Sequence, residues 1–153
     1  MKRSLLALAV IAAYMTSALA DDPEARIQAS RAAAKEFMSE LKGELQAAMK
    51  EGGPVMAIEV CNKKAPSIAA RLSKQKGWHI GRTSLRVRNP ANAPDDWERK
   101  VLHQFERRKA QGEQPMKIEY SEVVSVDGKE QFRYMKAIPT GALCLTCHGK
   151  NIP

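Results

Sequence analysis

The sequence predicts one α+β domain, on two observations. Apolar residues recur at helical spacing over most of the first half of the chain and again over residues 95–112, a pattern typical of amphipathic helices. Two stretches rich in Val, Ile, Tyr and Phe follow, at 117–126 and 130–138. Asp127-Gly128 between them favours a tight hairpin. We therefore expect an antiparallel sheet that is flanked by helices and preceded by a long N-terminal helix.

Residues 1–20 have the features of a secretory signal peptide rather than of a folded element. The start is basic, the apolar run at 5–13 is too short to span a bilayer, and a small-x-small cleavage site ends at Ala20. The alternative, an uncleaved membrane anchor, lacks any extension of the apolar run. We expect cleavage after Ala20, no membrane span once the signal is removed, and a single domain over 21–153.

The first mature segment is expected to be a long helix. Asp21 or Asp22 can cap it, Pro23 suits its first turn, and Gly52-Gly53 should end it. One apolar stripe at helical spacing should face the core and comprises Ile27, Ala34, Phe37, Met38, Leu41, Leu45 and Met49.

A second helical stretch is expected over 55–73. Pro66 lies inside it, where proline breaks helical hydrogen bonding, so we expect two short helices joined near Lys64-Ala65. The apolar residues are again three and four positions apart. The side that they predict for the core comprises Val55, Ile58, Cys61, Ala65, Ile68, Ala69 and Leu72.

Residues 78–88 are expected to form an extended strand that borders a pocket, because its faces mix polar and apolar side chains. Arg82, Arg86 and Arg88 occupy alternate positions there and should share one face. Two prolines within 89–94 predict a loop before the next helix.

The strongest motif lies near the C-terminus, where Cys144-Leu145-Thr146-Cys147-His148 has the spacing of a c-type haem attachment site. Two intervening residues bring the thiols about one turn apart, so both can add to the vinyl groups of one porphyrin. His148 can then reach the iron as an axial ligand. Three alternatives stay open: a thioredoxin-like redox pair, which lacks its βαβ context; half of a zinc site, which lacks a second ligand pair; and a disulfide. Export and haem attachment together indicate the periplasm.

Cys61 has no partner in the chain if the other two cysteines hold haem. It could be a buried small hydrophobe, could pair with another chain, or could ligate a ferric iron as a thiolate. If Cys61 is not the second axial ligand, a methionine could be, and the candidates are Met56, Met116 and Met135.

Four blocks occur in order along the chain: Val60-Cys61-Asn62 with Ala65-Pro66, Arg82-Thr83-Ser84-Leu85-Arg86-Val87-Arg88-Asn89-Pro90-Ala91-Asn92, Asp95-Asp96-Trp97-Glu98, and Cys144-Leu145-Thr146-Cys147-His148-Gly149. With these blocks the chain resembles a family of exported c-type haem domains with a PAS-like fold, also called the Tll-like haem domain. The resemblance is strongest over 55–149.

The resemblance implies a PAS-like antiparallel sheet flanked by helices, and one covalent haem c held by Cys144 and Cys147. It implies His148 and Cys61 as the axial pair. Members of that family usually continue into a segment with a Gly-Asp-x-Arg-Gly-like stretch, whereas this sequence ends at Pro153. If that segment supplies an edge strand, one edge of the sheet is expected to lack its protection.

The formal net charge of +8 is of a kind often seen in nucleic-acid-binding proteins, but export argues against a nucleic acid. An acidic partner or an anionic membrane surface suits the basic face better. The haem propionates would offset part of the charge. We expect at least one of Arg82, Arg86 and Arg88 to pair with a propionate, because a guanidinium and a carboxylate form two parallel hydrogen bonds.

The resemblance also implies a redox or small-ligand sensor. A sensor of this kind would signal to a separate redox or signalling protein and could take a small gaseous ligand. The alternative is a small electron-transfer cytochrome c. Enzymatic activity is not expected, because an iron with two axial protein ligands leaves no position for a substrate. The spare imidazoles, His79 and His103, would have to supply any acid–base chemistry.

Overall fold

The computed structural model describes residues 22–148 and confirms the α+β class with a long N-terminal helix. The expected signal peptide and the residues from Gly149 onward lie outside this range. The elements in chain order are α1 (Pro23–Glu59), a π-helical turn (Val60–Lys64), α2 (Ala65–Lys76), a 3₁₀ turn (Pro90–Asn92), α3 (Asp96–Ala110), a second 3₁₀ turn (Pro115–Lys117), β1 (Glu119–Val126), β2 (Lys129–Lys136) and α4 (Ala142–His148).

Helix α1 begins where its sequence predicts and bends at the glycine pair that was expected to end it. The Asp22 carboxylate caps the N-terminus by accepting a 3.0 Å hydrogen bond from the Glu24 amide. At Gly53 the backbone leaves the helical region, with φ of +67°, a conformation that glycine adopts at little cost. The helix then resumes, because Pro54 suits the first position of a helical segment. Gly53 is therefore a kink inside α1 rather than its end.

The π-helical turn explains one wrong prediction. Val55 and Ile58, which were expected to face the core, are 78% and 58% exposed, whereas Ala57 and Val60 are buried. A π turn contains one residue more than an α turn. Counting back from α2 in steps of three and four residues therefore predicts buried positions that lie one residue too late in the chain, such as Ile58 instead of Ala57. The join near residues 64–65 is where the sequence suggested it.

Two apolar clusters hold the elements together. The first packs α1 against the π turn and α2, and its buried members are Phe37, Leu41, Ala48, Val60, Ala65, Ile68 and Leu72. The second packs α3 against the hairpin through Val101, Phe105 and Ile118. Helix α1 also contacts β2 and α4, so the long helix joins the two halves of the domain.

Strands β1 and β2 form an antiparallel hairpin in which Val126 pairs with Lys129. Asp127 and Gly128 both have positive φ, 51° and 73°, as a type I′ turn requires. Over residues 22–148 the sheet consists of these two strands. In the same range no helix combines the length and the apolarity needed to cross a membrane.

Residues 78–88 do not form the expected strand but an irregular segment with bends. Its polar groups bind side chains and turns instead of a neighbouring strand. The Ile80 amide donates to Ser73 Oγ at 2.9 Å, and Thr83 Oγ1 donates to the Asn92 carbonyl at 3.1 Å. These bonds fix the segment between α2 and the 3₁₀ turn that precedes α3.

Candidate functional site

The attachment motif lies on α4, a single short helix. Three- and four-residue separations make Cys144, Cys147 and His148 neighbours on one helical face. The Gly141 carbonyl accepts hydrogen bonds from the amides of Cys144 and Leu145, at 2.9 and 3.2 Å, which begins the helix. Both cysteines carry free thiols and are half-buried. The helix therefore carries both cysteines and the histidine within two turns.

Arginine side chains shape the surroundings of His148. Arg88 Nη1 donates to the Cys147 carbonyl at 2.7 Å. Partial burial of the imidazole lowers the pKa of His148, and the positive charges of Arg88 and Arg82 lower it further. A neutral imidazole is the form that ligates a metal. The local electrostatics therefore favour the ligand form of His148.

Cys61 lies in the π-helical turn and is half-buried, with a free thiol. Arg82 Nη2 donates to its carbonyl oxygen at 3.1 Å. The same arginine lowers the pKa of His148 through its charge. Arg82 thus contacts the segment that carries Cys61 and acts through its charge on His148, although the two are far apart in sequence.

The three arginines of the 78–88 segment do not share one strand face, because no strand forms there. Arg82 is half-buried, whereas Arg86 and Arg88 are exposed. All three nevertheless line, together with His148, a broad open groove that also extends over α1, α3 and the hairpin, whereas Cys61, Cys144 and Cys147 are not among its lining residues. The three arginines thus share this open surface with His148.

The other candidate residues are less closely tied to the motif. His79 lines the same groove, and His103 is exposed on α3. Met135 packs against the core between α3 and the hairpin. Met116 and Met56 are 66% and 38% exposed. Met135 is thus engaged in core packing, and Cys61 is the candidate ligand whose segment is bound to Arg82.

The donors at the motif are of the kind that a macrocyclic cofactor requires from a protein. Within residues 22–148 no group of three or more His, Cys, Asp or Glu side chains is arranged to hold an ion. A structural zinc site normally takes four protein ligands. A haem brings four ring nitrogens and needs only axial ligands from the protein. A histidine beside two half-buried thiols fits that requirement.

One contact at this site was not anticipated from the sequence, namely the hydrogen bond from Arg82 to the Cys61 carbonyl. The signal that could have indicated it is the position of Pro66, five residues after Cys61. A proline there cannot donate the amide hydrogen bond that a π turn would direct to that carbonyl.

Comparison with protein-family models matches residues 8–153 to the Tll0287-like family. Because the match covers nearly the whole chain, the protein belongs to this family. No curated protein and no solved structure gives a significant match.

Proposed function

We propose that this member of the Tll0287-like family is a periplasmic c-type haem protein that works as a redox or small-ligand sensor module. Cys144 and Cys147 would hold one haem c through thioether bonds. His148 would be one axial ligand and Cys61 the other. A bound haem would supply a redox-active iron. The PAS-like sheet that the sequence resemblance implies stays part of this proposal.

The observation that carries the proposal is the position of the motif. Cys144, Cys147 and His148 lie on one short helix, α4, and His148 lines the groove, where partial burial and the charges of Arg88 and Arg82 favour the neutral form of the histidine. The basic residues along the groove suit the two propionates of a haem. Arg82, Arg86 and Arg88 are the residues that would contact them.

A sensor role is favoured over a simple carrier by the position of Cys61. Its segment is a π turn, a local departure from α-helical geometry that is common at functional sites. A proton taken up at Cys61 Sγ would convert a ligand thiolate into a weakly binding thiol. Residues 55–62 would then have two states, which a sensor needs and an electron carrier does not.

The electron carrier remains the second candidate, on one observation. No residue of α4 is buried, and Leu145 is 52% exposed. A cofactor attached there would have an exposed edge, as rapid electron exchange requires. The identity of the second axial ligand and its response to reduction separate the two functions.

The test is the full chain expressed with the haem maturation machinery, followed by intact mass and optical spectra of both oxidation states. We expect one covalent haem, a ferric spectrum with thiolate features, and binding of carbon monoxide to the reduced protein. Cys61→Ala should keep the haem, lose the thiolate features and raise the potential. Cys144→Ala, the matched control, should lose stable attachment.

A mature mass without haem would reject the proposal as a whole. A covalent haem whose ferric spectrum and potential are unchanged in Cys61→Ala would reject the His/Cys pair. In that case the carrier, with methionine or histidine ligation, becomes the better function.

A further inference from the structure

The π-helical turn leaves the Cys61 carbonyl without a backbone donor. In an α-helix that carbonyl would accept from the Ala65 amide, but this amide donates to the Val60 carbonyl, five residues back. The next five-residue bond would run from residue 66 to Cys61, and residue 66 is a proline, which has no N–H. A half-buried carbonyl without a donor is costly.

Arg82 supplies the missing donor from outside the helix. Its Nη2 lies 3.1 Å from the Cys61 carbonyl oxygen, and the side chain is half-buried. The arginine is itself held on both sides, by the bond from the Ile80 amide to Ser73 Oγ and by the bond from Thr83 Oγ1 to the Asn92 carbonyl. The chain on both sides of Arg82 is thus held in place, and the guanidinium donates to the carbonyl that the π turn leaves without a backbone donor.

We propose that Arg82 is a positioning residue that holds Cys61 in the π register and so sets the direction of its thiol. Without Arg82, the turn loses the only donor described for that carbonyl among residues 22–148 and gains by returning to α geometry, in which the Ala65 amide binds Cys61. Removing one residue from a turn rotates what precedes it by about 100°. Any consequence of this positioning for the iron rests on the proposed function, whereas the hydrogen bond from Arg82 to Cys61 does not.

The experiment compares Arg82→Gln and Arg82→Lys with Arg86→Gln, an exposed arginine of the same segment, in the full exported chain. Amide hydrogen exchange over residues 60–66 and alkylation of Cys61, read by peptide mapping, report the backbone and the thiol. We expect Arg82→Gln to change exchange on the order of tenfold at the amides whose acceptors differ between the π and α registers, the Ala65 amide among them, because the hydrogen bond from a charged donor that favours the π register is lost. Cys61 alkylation should change with it, Arg82→Lys should restore part of the effect, and Arg86→Gln should have none.

Pro66→Ala provides a second test, because it returns an N–H to position 66. In that background the backbone can satisfy the Cys61 carbonyl, so Arg82→Gln should change exchange and alkylation much less. If Arg82→Gln alone fails to fold, Pro66→Ala should restore folding of the double variant. An Arg82→Gln effect equal to that of Arg86→Gln, an undiminished effect in the Pro66→Ala background, or a double variant that still does not fold would each overturn the inference.

The holo-protein separates this inference from the proposed function. With haem attached, Arg82→Gln should weaken the thiolate features of the ferric spectrum and shift the potential, while Arg82→Lys keeps part of both. If no haem is attached, exchange and alkylation still decide the role of Arg82. If haem is attached but Cys61 is no ligand, only the spectral change disappears.

Discussion

Two of the regions in which arginine joins distant segments of this molecule differ in the partners that the arginine binds. Where α1 meets the hairpin, Arg31 Nε donates to the Glu119 carboxylate at 2.9 Å. The same carboxylate accepts from Tyr134 at 2.7 Å and from Lys136 at 3.3 Å. Around the motif, by contrast, Arg82 and Arg88 donate to the backbone carbonyls of Cys61 and Cys147.

The two regions differ in whether the charge of the arginine is neutralised by its partner. In the junction between helix and hairpin, the charge of Arg31 is matched by a carboxylate whose side chain is only 20% exposed, so removing either partner would leave the other without its counter-charge. In the motif region, the carbonyls bind the arginines without neutralising them. The positive charge of Arg82 and Arg88 therefore lowers the pKa of His148 further than burial alone does, and it can attract an anionic group in the groove. No residue of α4 is buried, so little apolar packing holds this region.

The largest expected effect is that of Glu119→Gln. This variant keeps the size of the side chain but removes the charge that Arg31 and Lys136 face, so the free energy of unfolding in urea should fall by about 2–3 kcal/mol. Haem attachment should stay at the level of the unchanged chain, because the motif lies elsewhere.

The matched control is Glu113→Gln, which removes a more exposed carboxylate, 36% exposed, from Arg108. Exposed pairs contribute little, so this loss should stay below ~1 kcal/mol. Equal losses in the two variants would mean that the junction is no more cohesive than an ordinary surface pair.

The same two regions show what the sequence could predict. The hairpin and the Asp22 cap follow from local residue preferences and are confirmed, whereas Gly53 bends α1 instead of ending it. The motif residues were identified by spacing alone, and their shared helical face follows from that spacing. These features depend on neighbours within about one turn of the chain.

The features that the sequence could not predict depend on distant partners. Whether residues 78–88 pair as a strand is decided by whether another strand lies beside them, and here Ser73 and Asn92 satisfy them instead. The π turn shifts the buried face by one residue, which placed Val55 and Ile58 wrongly. The contact between Glu119 and Arg31 could not be predicted, because a single acidic residue in a strand gives no indication of a partner that is distant in sequence.

Lowering the pH is expected to reduce the free energy of unfolding by an amount smaller than the loss in Glu119→Gln. The Arg31 hydrogen bond, opposed by burial and helped by Tyr134 and Lys136, lowers the pKa of Glu119 from 4.5 to about 2. A lowered carboxylate pKa stabilises the fold above the ordinary value, and this contribution is lost as the pH falls from 4.5 towards 2. Urea unfolding across this range should show a loss on the order of 2 kcal/mol.

Glu119→Gln should flatten the acid dependence, since the titrating group is gone. Part of the slope should survive, because Arg108 lowers the pKa of Glu113 through a side-chain hydrogen bond. An acid dependence as steep in Glu119→Gln as in the unchanged chain would show that other carboxylates cause it and that the junction contributes little.

The smallest effect concerns the motif region and is local. Arg88→Met removes a charge and a donor but keeps an apolar stem, and because Arg88 is exposed the free energy of unfolding should change by less than ~1 kcal/mol. The pKa of His148, now below 6.5 through burial and the charges of Arg88 and Arg82, should rise. NMR titration of the full chain carrying Cys144→Ala and Cys147→Ala measures this without haem, and Arg86→Met is the matched control.

A histidine with a lowered pKa destabilises the fold as the pH drops below the ordinary pKa of histidine, so Arg88→Met should also reduce that loss of stability. If His148 titrates equally in Arg88→Met and Arg86→Met, the Arg88 charge does not lower the pKa of the imidazole. The contrast between the two regions would then depend on Arg82 alone.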